Sequence, residues 1–279
     1  GQMAEHLVSP SLSWHLKRIH RRTGYSRWTG LWRRVYGCPN LQPWTIDPGD
    51  MAAPSQVAVA YNAVGGTSIT ALSAKELAWQ SAALAKARWL SVRDTKVADA
   101  VTARGLEKPR VVPDSAVVMP ALLSDADAKA ARTKVLKLSG LGTEPYLCVQ
   151  VAERWARGHE DALSQALREV HRQTGTSILA FAIGRAAGHD DQISARRLND
   201  RLGGEGWFGF VDADLTVNEI MGLISQSEAY IGSSLHGYIT AFAFNVPRVG
   251  LIAHIEKLTG FRNAWDLPEM PAGVNFADI

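Results

Sequence analysis

The chain has 279 residues, which is enough for one large domain or two modest domains with hydrophobic cores of their own. Hydrophobic residues make up 46% of it and charged residues 20%, an ordinary composition for a soluble globular protein. No stretch approaches eighteen uninterrupted apolar residues, no secretory signal is evident at the start, and the two separated cysteines, Cys38 and Cys148, lack metal-ligand spacing. We therefore expect a cytoplasmic protein without a membrane-spanning helix.

The net charge of +3 is unevenly distributed along the chain. The first 36 residues contain one acid, Glu5, and the cations Lys17, Arg18, Arg21, Arg22, Arg27, Arg33 and Arg34. Trp14, Trp28 and Trp32 lie among them, so this segment could bind an anionic membrane surface or nucleic acid. It could also be a solvated helix whose tryptophans pack on the domain, which is the interpretation we favour. Of the two binding interpretations we prefer the membrane surface.

The first half of the chain alternates between strand and helix patterns. Strands are predicted at 57–63, 89–92 and 110–112. Helices are predicted at 74–86, 95–104 and 124–138, with Ser73, Asp94 and Ser124 as N-caps. The loop 139–145 contains glycine and proline, and we place the domain boundary there.

The second half begins a new series of strands and helices. Strands are predicted at 146–152, 177–183, 207–211, 229–231 and 248–252, and helices at 160–173, 191–202, 217–226, 235–244 and 255–261. Strands that alternate with helices indicate parallel sheets. We therefore expect an α/β protein with two doubly wound, Rossmann-like domains, 1–138 and 139–279, that face a cleft.

In an open α/β sheet, ligands bind beyond the carboxyl ends of the strands. In the first domain this rule selects Asn62, Arg93, Asp94 and Asp114. In the second domain it selects Glu153, Arg154, Gly184, Arg185, Asp212, Asp214, Ser233, Ser234 and His236. The remaining histidines form no cluster with metal-ligand spacing, so we expect no metal site.

The segment from Ala229 to Leu251 is the most informative part of the sequence. A short apolar strand runs into Gly232-Ser233-Ser234, and a helix opens at Leu235-His236. The backbone N–H groups at a helix start are free and lie at the positive end of its dipole, which favours a phosphate. The two serines could bind that phosphate and His236 could donate a proton to it. Alternatively, His236 is a helix N-terminal residue that binds backbone.

Each of the other candidates also has a structural alternative. Arg93 could hold a carboxylate or phosphate with two parallel hydrogen bonds, or it could form an ion pair with Asp94 or Asp114. For Arg185 we favour a solvated loop arginine over a ligand contact. Asp114 and Glu153 could each act as a base towards a sugar hydroxyl, or each could cap a turn or helix.

The sequence contains two informative stretches, IGSSLHGYITAFAFNVPRVGL and ARWLSVRDTKVADAVTARGLEKPRVVPDSAV, which together resemble the polysaccharide pyruvyl transferase family. The first stretch is similar to the family's step from a strand through Leu235-His236 into an Ala-rich helix, followed by Val-Pro and a strand. The second stretch is similar to the family's S-V-R-[DE] strand end, helix and Pro-Asp turn. The resemblance covers roughly 57–255. The first fifty residues lack the family's Asn-x-Gly-Asp turn and Gly-Gly-Gly loop, so we expect an N-terminal domain that is abbreviated or divergent.

The resemblance implies a GT-B-like arrangement of the two domains and roles for particular residues. His236 matches the histidine associated with binding and protonating the donor, phosphoenolpyruvate, and Leu235 belongs to the same step but is expected to pack in the core. Ser234 stands where family members often carry arginine, which increases the importance of other arginines such as Arg93. Glu153-Arg154-Trp155 lies where many members have an arginine followed closely by tryptophan, so Arg154 could take that role in a shifted register.

The resulting hypothesis is a pyruvyl transferase that attaches pyruvate from phosphoenolpyruvate as a ketal to a sugar of a cell-surface polysaccharide or glycolipid. The scheme requires no metal and no cofactor besides this donor. Since the family often acts on lipid-linked sugars, peripheral contact with the inner face of an anionic membrane is expected, and nucleic acid is not. Two alternatives stay open: a GT-B glycosyltransferase that uses a sugar nucleotide, and a noncatalytic glycan-binding protein on the same fold.

Overall fold

The computed structural model describes residues 45–48, 58–66, 74–142, 145–185, 189–251 and 254–276. The chain forms two compact units: Gly1–Ala60 with Ser73–Trp89, and Tyr61–Leu72 with Leu90–Ile279. The predicted domain boundary between 138 and 139 stays a prediction. The basic N-terminal segment with Trp14, Trp28 and Trp32 lies outside the described residues. In the described part of the chain, no helix is both long and apolar enough to cross a membrane.

The described part of the first unit centres on helix α1, Ala74–Ala85. Gln80 Nε2 on this helix donates a hydrogen bond of 3.1 Å to Thr45 Oγ1. Directly after the helix, Lys86 Nζ pairs with Asp47 Oδ1 at 2.8 Å. These two contacts connect the helix to a chain segment almost forty residues earlier in the sequence.

A three-stranded sheet comes first in the chain, with the order β1-β2-β3. Its strands are β1 (Ala60–Val64), β2 (Trp89–Val92) and β3 (Arg110–Val111), and β2 and β3 are parallel. Helix α2 (Thr95–Thr102) follows β2 and begins at the predicted N-cap, because Asp94 Oδ1 accepts the Val97 N–H at 2.9 Å. It ends two residues before its predicted end.

Three helical elements connect the two sheets. A 3-10 helix, Ser115–Val118, and the four-residue helix α3, Met119–Leu122, were not predicted, since they are too short to show a helical period. The longer helix α4, Asp125–Ser139, begins at the predicted cap, where Ser124 Oγ accepts the Asp127 N–H. Gly140 ends it with φ of 79°, a left-handed conformation that glycine adopts readily.

The second sheet has five strands in the order β6-β5-β4-β7-β8, and every neighbouring pair is parallel. The strands are β4 (Tyr146–Gln150), β5 (Ser177–Phe181), β6 (Phe208–Val211), β7 (Ala229–Gly232) and β8 (Arg248–Gly250). The helices between and after them are α5 (Glu153–Ala156), α6 (Glu160–Thr174), α7 (Asp191–Leu202), α8 (Val217–Ser225), α9 (Leu235–Ala243) and α10 (Glu256–Trp265). All were predicted except α5, which is a single turn.

The main hydrophobic core surrounds this second sheet. All five residues of β4 are buried, as expected for the central strand of a parallel sheet with both faces covered. A buried ion pair lies at the edge of this core, where Arg248 of β8 contacts Asp266 and Asp266 also accepts the Tyr238 hydroxyl. Since Tyr238 belongs to α9 and Asp266 follows α10, this polar contact fixes both helices to β8.

Candidate functional site

The strand order places a ligand-binding position between β4 and β7. The chain runs from β4 to one side of the sheet through β5 and β6, then returns to the other side with β7 and β8. The direction of winding therefore reverses between β4 and β7, and the carboxyl ends of strands at such a switch point form a crevice that binds ligands. The register pairs Gln150 with Gly232, so the last residues of both strands meet there.

The N-terminus of α9 opens at this switch point. Ser234 is its N-cap and accepts the Gly237 N–H at 3.3 Å, while the Ser234 N–H is donated to Gln150 Oε1 at 2.9 Å. Among the described residues, no acceptor is found for the N–H groups of Leu235 and His236. Two backbone donors at the positive end of a nine-residue helix are thus available to an anion.

Both predicted serines also have structural hydrogen bonds. Ser233 is buried, and its hydroxyl accepts the Ala152 N–H at 2.9 Å, which connects the end of β7 to the segment after β4. Ser234 uses its oxygen as the helix cap. Since a hydroxyl has a proton as well as its acceptor sites, Ser234 can cap the helix and still donate to an oxygen of a ligand.

A buried pair that the sequence analysis did not select, Gln150 and Asp191, fixes this turn. Asp191 Oδ2 accepts hydrogen bonds from Gln150 Nε2 at 2.7 Å, from the Gly184 N–H at 2.6 Å and from the Ile183 N–H at 3.1 Å. A carboxylate is only an acceptor, so it orients the Gln150 amide with its NH₂ towards Asp191. The Gln150 oxygen then faces the Ser234 N–H and the Tyr230 hydroxyl, at 2.9 and 3.1 Å.

Two glycines of the motif are required by Tyr230, which is fully buried beneath the turn. A Cβ at Gly232 would lie 2.3 Å from Tyr230 Oη, and a Cβ at Gly237 would lie 2.2 Å from the same atom. Neither distance is possible for a real contact. The pattern Gly-Ser-Ser-Leu-His-Gly therefore reflects close packing of the turn on Tyr230 as much as any ligand.

Arg93 lies at the end of β2 and is held by several contacts. Its carbonyl accepts the Trp265 indole N–H at 2.7 Å, and its Nη1 pairs with Asp114 Oδ2 at 3.0 Å. The guanidinium lies across Gly65, where a Cβ would be 2.4 Å from Nη2. The ion pair with Asp114, one of the two structural alternatives for Arg93, is thus present. Arg93 Nε is buried and has no acceptor among the described residues, so the ion pair with Asp114 does not use all the donors of the guanidinium.

His236 lies in the electrostatic field of these groups. It reaches solvent, but enough of the ring is covered that burial, the largest cause, lowers its pKa below the ordinary value of 6.5. Asp114 raises this pKa, whereas the positive charges of Arg93 and Lys257 lower it further. The imidazole is therefore mainly neutral at pH 7 in the free protein, and an anion that offsets these cations would favour its protonated form.

Lys257 is a further cation of the site that the sequence analysis missed. It is half-buried near the start of α10, and burial is the main cause that lowers its pKa, with Arg154 and Arg93 next and Asp191 opposing them. It forms no hydrogen bond or ion pair with any other residue the structure describes. Lys257 follows β8, so the strand-end rule would have selected it if applied to the fifth strand of the sheet.

Arg154 joins the same group of cations. It is exposed on the short helix α5, and its guanidinium lies over the Trp155 ring at 5.1 Å from the centroid. The Trp155 ring in turn contacts His254 edge-on, with centroids 5.2 Å apart. We call Arg93, Arg154 and Lys257, together with the titratable His236, the cationic cluster, because Arg93 and Lys257 lower the pKa of His236, and Arg154 and Arg93 lower that of Lys257.

The other predicted site residues have different surroundings. Glu153 is buried and binds Arg157 and Arg197, at 2.9 and 3.1 Å. Arg185 donates to the carbonyls of Asp212 and Ala213 at the end of β6 and pairs with Asp214.

Leu235 packs in the core, as expected, and is 2% exposed. Asn62 is exposed and exchanges hydrogen bonds with the hydroxyls of Ser91 and Ser115. Asp114 accepts the Ala116 N–H and caps the 3-10 helix, besides pairing with Arg93. Of these predicted residues, the structure brings Asp114 close to the cationic cluster.

This arrangement is suited to a small ligand with more than one negative charge. Two backbone N–H groups without an acceptor among the described residues lie beside His236, whose pKa responds to the charges of Arg93 and Lys257. Among the described residues, Asp114 is the one acid in direct contact with an arginine of the cluster. The imidazole of His236 is the group best placed to move a proton, because its pKa responds to the charge that the ligand brings.

Comparison with solved structures supports the GT-B-like α/β class that was predicted. UDP-GlcNAc 2-epimerase from Methanocaldococcus jannaschii superimposes with a TM-score of 0.58 at 14% identity, over 80% of this chain and 60% of that chain. The enzyme from Neisseria meningitidis bound to UDP-GlcNAc gives 0.51 at 11%, over 80% and 60%. These identities show a shared fold alone, and the chain spans about 60% of the length of either structure.

A search of curated protein sequences finds no match to this chain. The model of the family described as polysaccharide pyruvyl transferase, however, matches residues 65–254. That range is 190 of the 279 residues, and it includes Arg93, Arg154 and His236 together with the whole switch point between β4 and β7. The chain belongs to the polysaccharide pyruvyl transferase family.

Proposed function

We propose that this protein transfers pyruvate from phosphoenolpyruvate to two hydroxyls of a sugar, forming a ketal on a cell-surface polysaccharide or glycolipid. The observation that carries the proposal is the N-terminus of α9 at the switch point, where two N–H groups have no acceptor among the described residues and His236 lies in the field of Arg93 and Lys257. Phosphoenolpyruvate carries a phosphate and a carboxylate on the same carbon, and its neighbouring methylene carbon must be protonated. The cluster offers cations for both acidic groups and one titratable proton donor.

The two acidic groups of the donor have different partners in this proposal. The phosphate binds the N–H groups of Leu235 and His236 and the Ser234 hydroxyl, because helix N-termini favour phosphates. The carboxylate binds the guanidinium of Arg93, whose planar donors match it. Lys257 and Arg154 supply further positive charge, and they stabilise the phosphate as its charge increases during departure.

In the proposed reaction, the His236 imidazolium gives its proton to the methylene carbon of the donor. The electron pair of the double bond forms the new C–H bond, and the neighbouring carbon becomes cationic. A sugar hydroxyl oxygen bonds to this carbon and loses its proton to a base. The bond to phosphate then breaks, with its electron pair on the phosphate oxygen, and a second hydroxyl closes the ketal. One hydroxyl proton restores the imidazolium and the other leaves with the phosphate.

Asp114 is the base that we favour for the acceptor hydroxyl. It contacts Arg93 at 3.0 Å and raises the pKa of His236, so it lies near the proposed proton donor, His236. Glu153, the other carboxylate considered from the sequence, binds two arginines and is buried away from solvent. The Asp114 carboxylate can accept the proton of the sugar hydroxyl and pass it to the His236 imidazole.

The proposal is tested by the His236→Gln variant, with phosphate release from phosphoenolpyruvate measured in the presence of a polysaccharide extract as acceptor. We expect turnover to fall by about 10²–10⁴, the usual cost of removing a positioned acid. His159→Gln is the control, because His159 stacks on Phe276 at 4.8 Å and is not part of the cluster. A His236→Gln variant with the wild-type rate would contradict the mechanism.

The alternatives predict different ligands for the same protein. A sugar-nucleotide glycosyltransferase would be stabilised against heat by UDP-, GDP- or CMP-sugars and not by phosphoenolpyruvate, whereas our proposal predicts the reverse. A noncatalytic glycan-binding protein would bind the extract but release no phosphate from any donor. A mass spectrum of the extract after reaction, with the added mass of pyruvate, would identify the ketal product.

We also propose, as the alternative to a segment that packs on the domain, that the basic N-terminal segment binds anionic membrane surfaces and so brings the protein to lipid-linked acceptors. Its seven cations and three tryptophans support this, since basic residues are attracted to anionic headgroups and tryptophans lie at that level. Sedimentation with anionic vesicles should be strong at low salt and weak at high salt, and absent with neutral vesicles. Equal sedimentation with both kinds of vesicle would contradict the proposal.

A further inference from the structure

A separate cavity of about 310 Å³ lies between the start of α2 and one side of α10. Its lining residues are Thr95, Lys96, His254, Glu256, Thr259, Gly260 and Asn263. On α10, positions 256, 260 and 263 follow one another at helical spacing and form a single stripe. The volume is at the lower end of the range for small-molecule sites, which suits one sugar unit.

The lining side chains are of polar residue types. Hydroxyls come from Thr95 and Thr259, an amide from Asn263 and an imidazole from His254. The one cation and the one carboxylate, Lys96 and Glu256, pair with each other at 2.9 Å and are both more than half exposed. A solvated pair of this kind contributes little to stability, so it can open for a ligand. The cavity therefore suits a neutral ligand with many hydroxyls, unlike the cationic cluster.

The floor of the cavity is formed where the two helices approach at Gly260. A Cβ at this position would lie 3.3 Å from Asp94 Cγ and 3.5 Å from Asp94 Oδ2. Asp94 is fully buried, and its Oδ2 accepts no hydrogen bond from any other described residue. An acceptor without a donor thus lies directly behind the floor, and any side chain at 260 would fill this space.

Residues of the cavity wall and of the cationic cluster are near neighbours along the chain. Thr95 follows Arg93 by two residues, a backbone distance of at most about 7 Å, and Glu256 precedes Lys257 directly. On a third side, His254 contacts Trp155, on whose ring Arg154 lies. Sequence neighbours thus join Arg93 and Lys257 to residues of the cavity wall, and the Trp155 ring joins Arg154 to His254.

We propose that this cavity binds a neutral pyranose, the acceptor sugar, and presents its hydroxyls to the donor held by the cationic cluster. This inference rests on the proposed function, which requires a polyhydroxylated acceptor next to an anionic donor. The division follows from charge: the cluster selects the donor by its negative groups, and the cavity selects the acceptor by hydrogen bonds from hydroxyl and amide groups.

The test uses saturation-transfer NMR with methyl glycosides of glucose, galactose, mannose and N-acetylglucosamine. Two variants, Thr95→Val and Asn263→Leu, remove hydrogen-bonding groups of the cavity. Thr102→Val is the matched control, because it makes the same change on α2 where the hydroxyl binds the Ala98 carbonyl outside the cavity. Loss of one hydrogen bond corresponds to roughly fivefold weaker binding. We expect that loss in both cavity variants and wild-type affinity in the control.

Phosphoenolpyruvate binding, followed by phosphorus NMR on the same samples, separates this inference from the proposed function. If a glycoside binds and depends on Thr95 and Asn263 while phosphoenolpyruvate fails to bind, the cavity assignment stands and the proposed function falls. If phosphoenolpyruvate binds but no glycoside does, the cavity assignment is wrong. It is also wrong if a glycoside binds to the cavity variants as tightly as to the control.

Discussion

The hydrogen bonds of Gln150 lead to a specific prediction about the anion site. Gln150 is 2% exposed, accepts the Ser234 N–H at 2.9 Å and the Tyr230 hydroxyl at 3.1 Å, and donates to Asp191 at 2.7 Å. Replacing it by methionine keeps the length of the side chain but removes all three bonds. Asp191 retains two backbone donors, whereas the Ser234 N–H and the Tyr230 hydroxyl lose their partner.

The expected cost follows from these two unsatisfied donors. A buried donor without an acceptor costs about 1–3 kcal/mol, so Gln150→Met should lower the free energy of unfolding by about 2–6 kcal/mol. Since domains are usually stable by about 5–15 kcal/mol, most of this range leaves the variant folded, and its urea transition shows directly whether it is. Its Ser234 turn is no longer held, so the N–H groups of Leu235 and His236 lose their orientation and affinity for inorganic phosphate should fall.

Urea unfolding and phosphate titration measure the two effects, and Gln192→Met provides the control. Gln192 lies next to Asp191 on α7, and its Oε1 is buried with no partner among the described residues, so its removal leaves no donor unsatisfied. We expect the control to change the unfolding free energy by less than about 0.5 kcal/mol. If Gln150→Met is no more destabilising than Gln192→Met and binds phosphate as wild type does, the assigned role of Gln150 is wrong.

Two further variants test the contacts around the cluster. Arg93→Lys keeps the charge but loses the planar N–H groups of the guanidinium, so titration with phosphoenolpyruvate should show weaker binding. Unchanged affinity for phosphoenolpyruvate in both Arg93→Lys and Arg93→Ala would mean that Arg93 serves only as the ion-pair partner of Asp114. Gly237→Ala should lower the free energy of unfolding by about 1–3 kcal/mol, because its Cβ would be 2.2 Å from Tyr230 Oη. The control Gly204→Ala should leave the free energy of unfolding unchanged, because a Cβ there meets no atom within 4 Å. Equal effects of the two variants in thermal or urea unfolding would contradict the packing argument.

Much of the fold was accessible from the sequence because its signals are local. Helix α7 has the predicted bounds, Asp191–Leu202, and the caps Asp94 and Ser124 accept the hydrogen bonds expected of them. A cap acts within its own first turn, so its residue type is enough to identify it. The positions of Arg93 directly after β2 and of His236 in the helix that follows β7 were likewise predicted, since position along a strand is a property of the sequence pattern.

The remainder of the site depends on contacts between distant residues. Gln150 ends a strand in which all five residues are buried. It accepts hydrogen bonds from Tyr230 of β7 and from the N-cap of α9, Ser234, which lie 80 and 84 positions later in the sequence. Asp191 is the first residue of the predicted helix 191–202, but its carboxylate reaches back to Gly184 and Ile183. No spacing rule relates such residues, because the sheet order that brings them together is set by the whole core.

The charges around His236 predict how donor binding depends on pH. In the free protein the pKa of His236 lies below 6.5. Burial and the positive charges of Arg93 and Lys257 lower this pKa, and the negative charge of Asp114 offsets only part of the effect. A bound donor places negative charge among these cations and raises the pKa. The contribution of His236 to affinity should thus be greatest at pH values below the pKa of the free protein, decrease between that pKa and the pKa of the complex, and level off above the latter. Each unit of increase corresponds to about a tenfold change in affinity.

Calorimetry at pH 6.5 in two buffers of different ionisation enthalpy measures the protons taken up on binding. The phosphate of the donor titrates near pH 6 and contributes in every variant, so the informative quantity is the difference between wild type and His236→Gln. We expect wild type to take up more protons than the variant, because only wild type has the imidazole. Lys257→Met should reduce the difference, since removing this cation leaves less positive charge for the donor to offset at His236. Equal proton uptake by wild type and His236→Gln would mean that the imidazole keeps its charge state when the donor binds, and His236 could not then be the acid that protonates the methylene carbon.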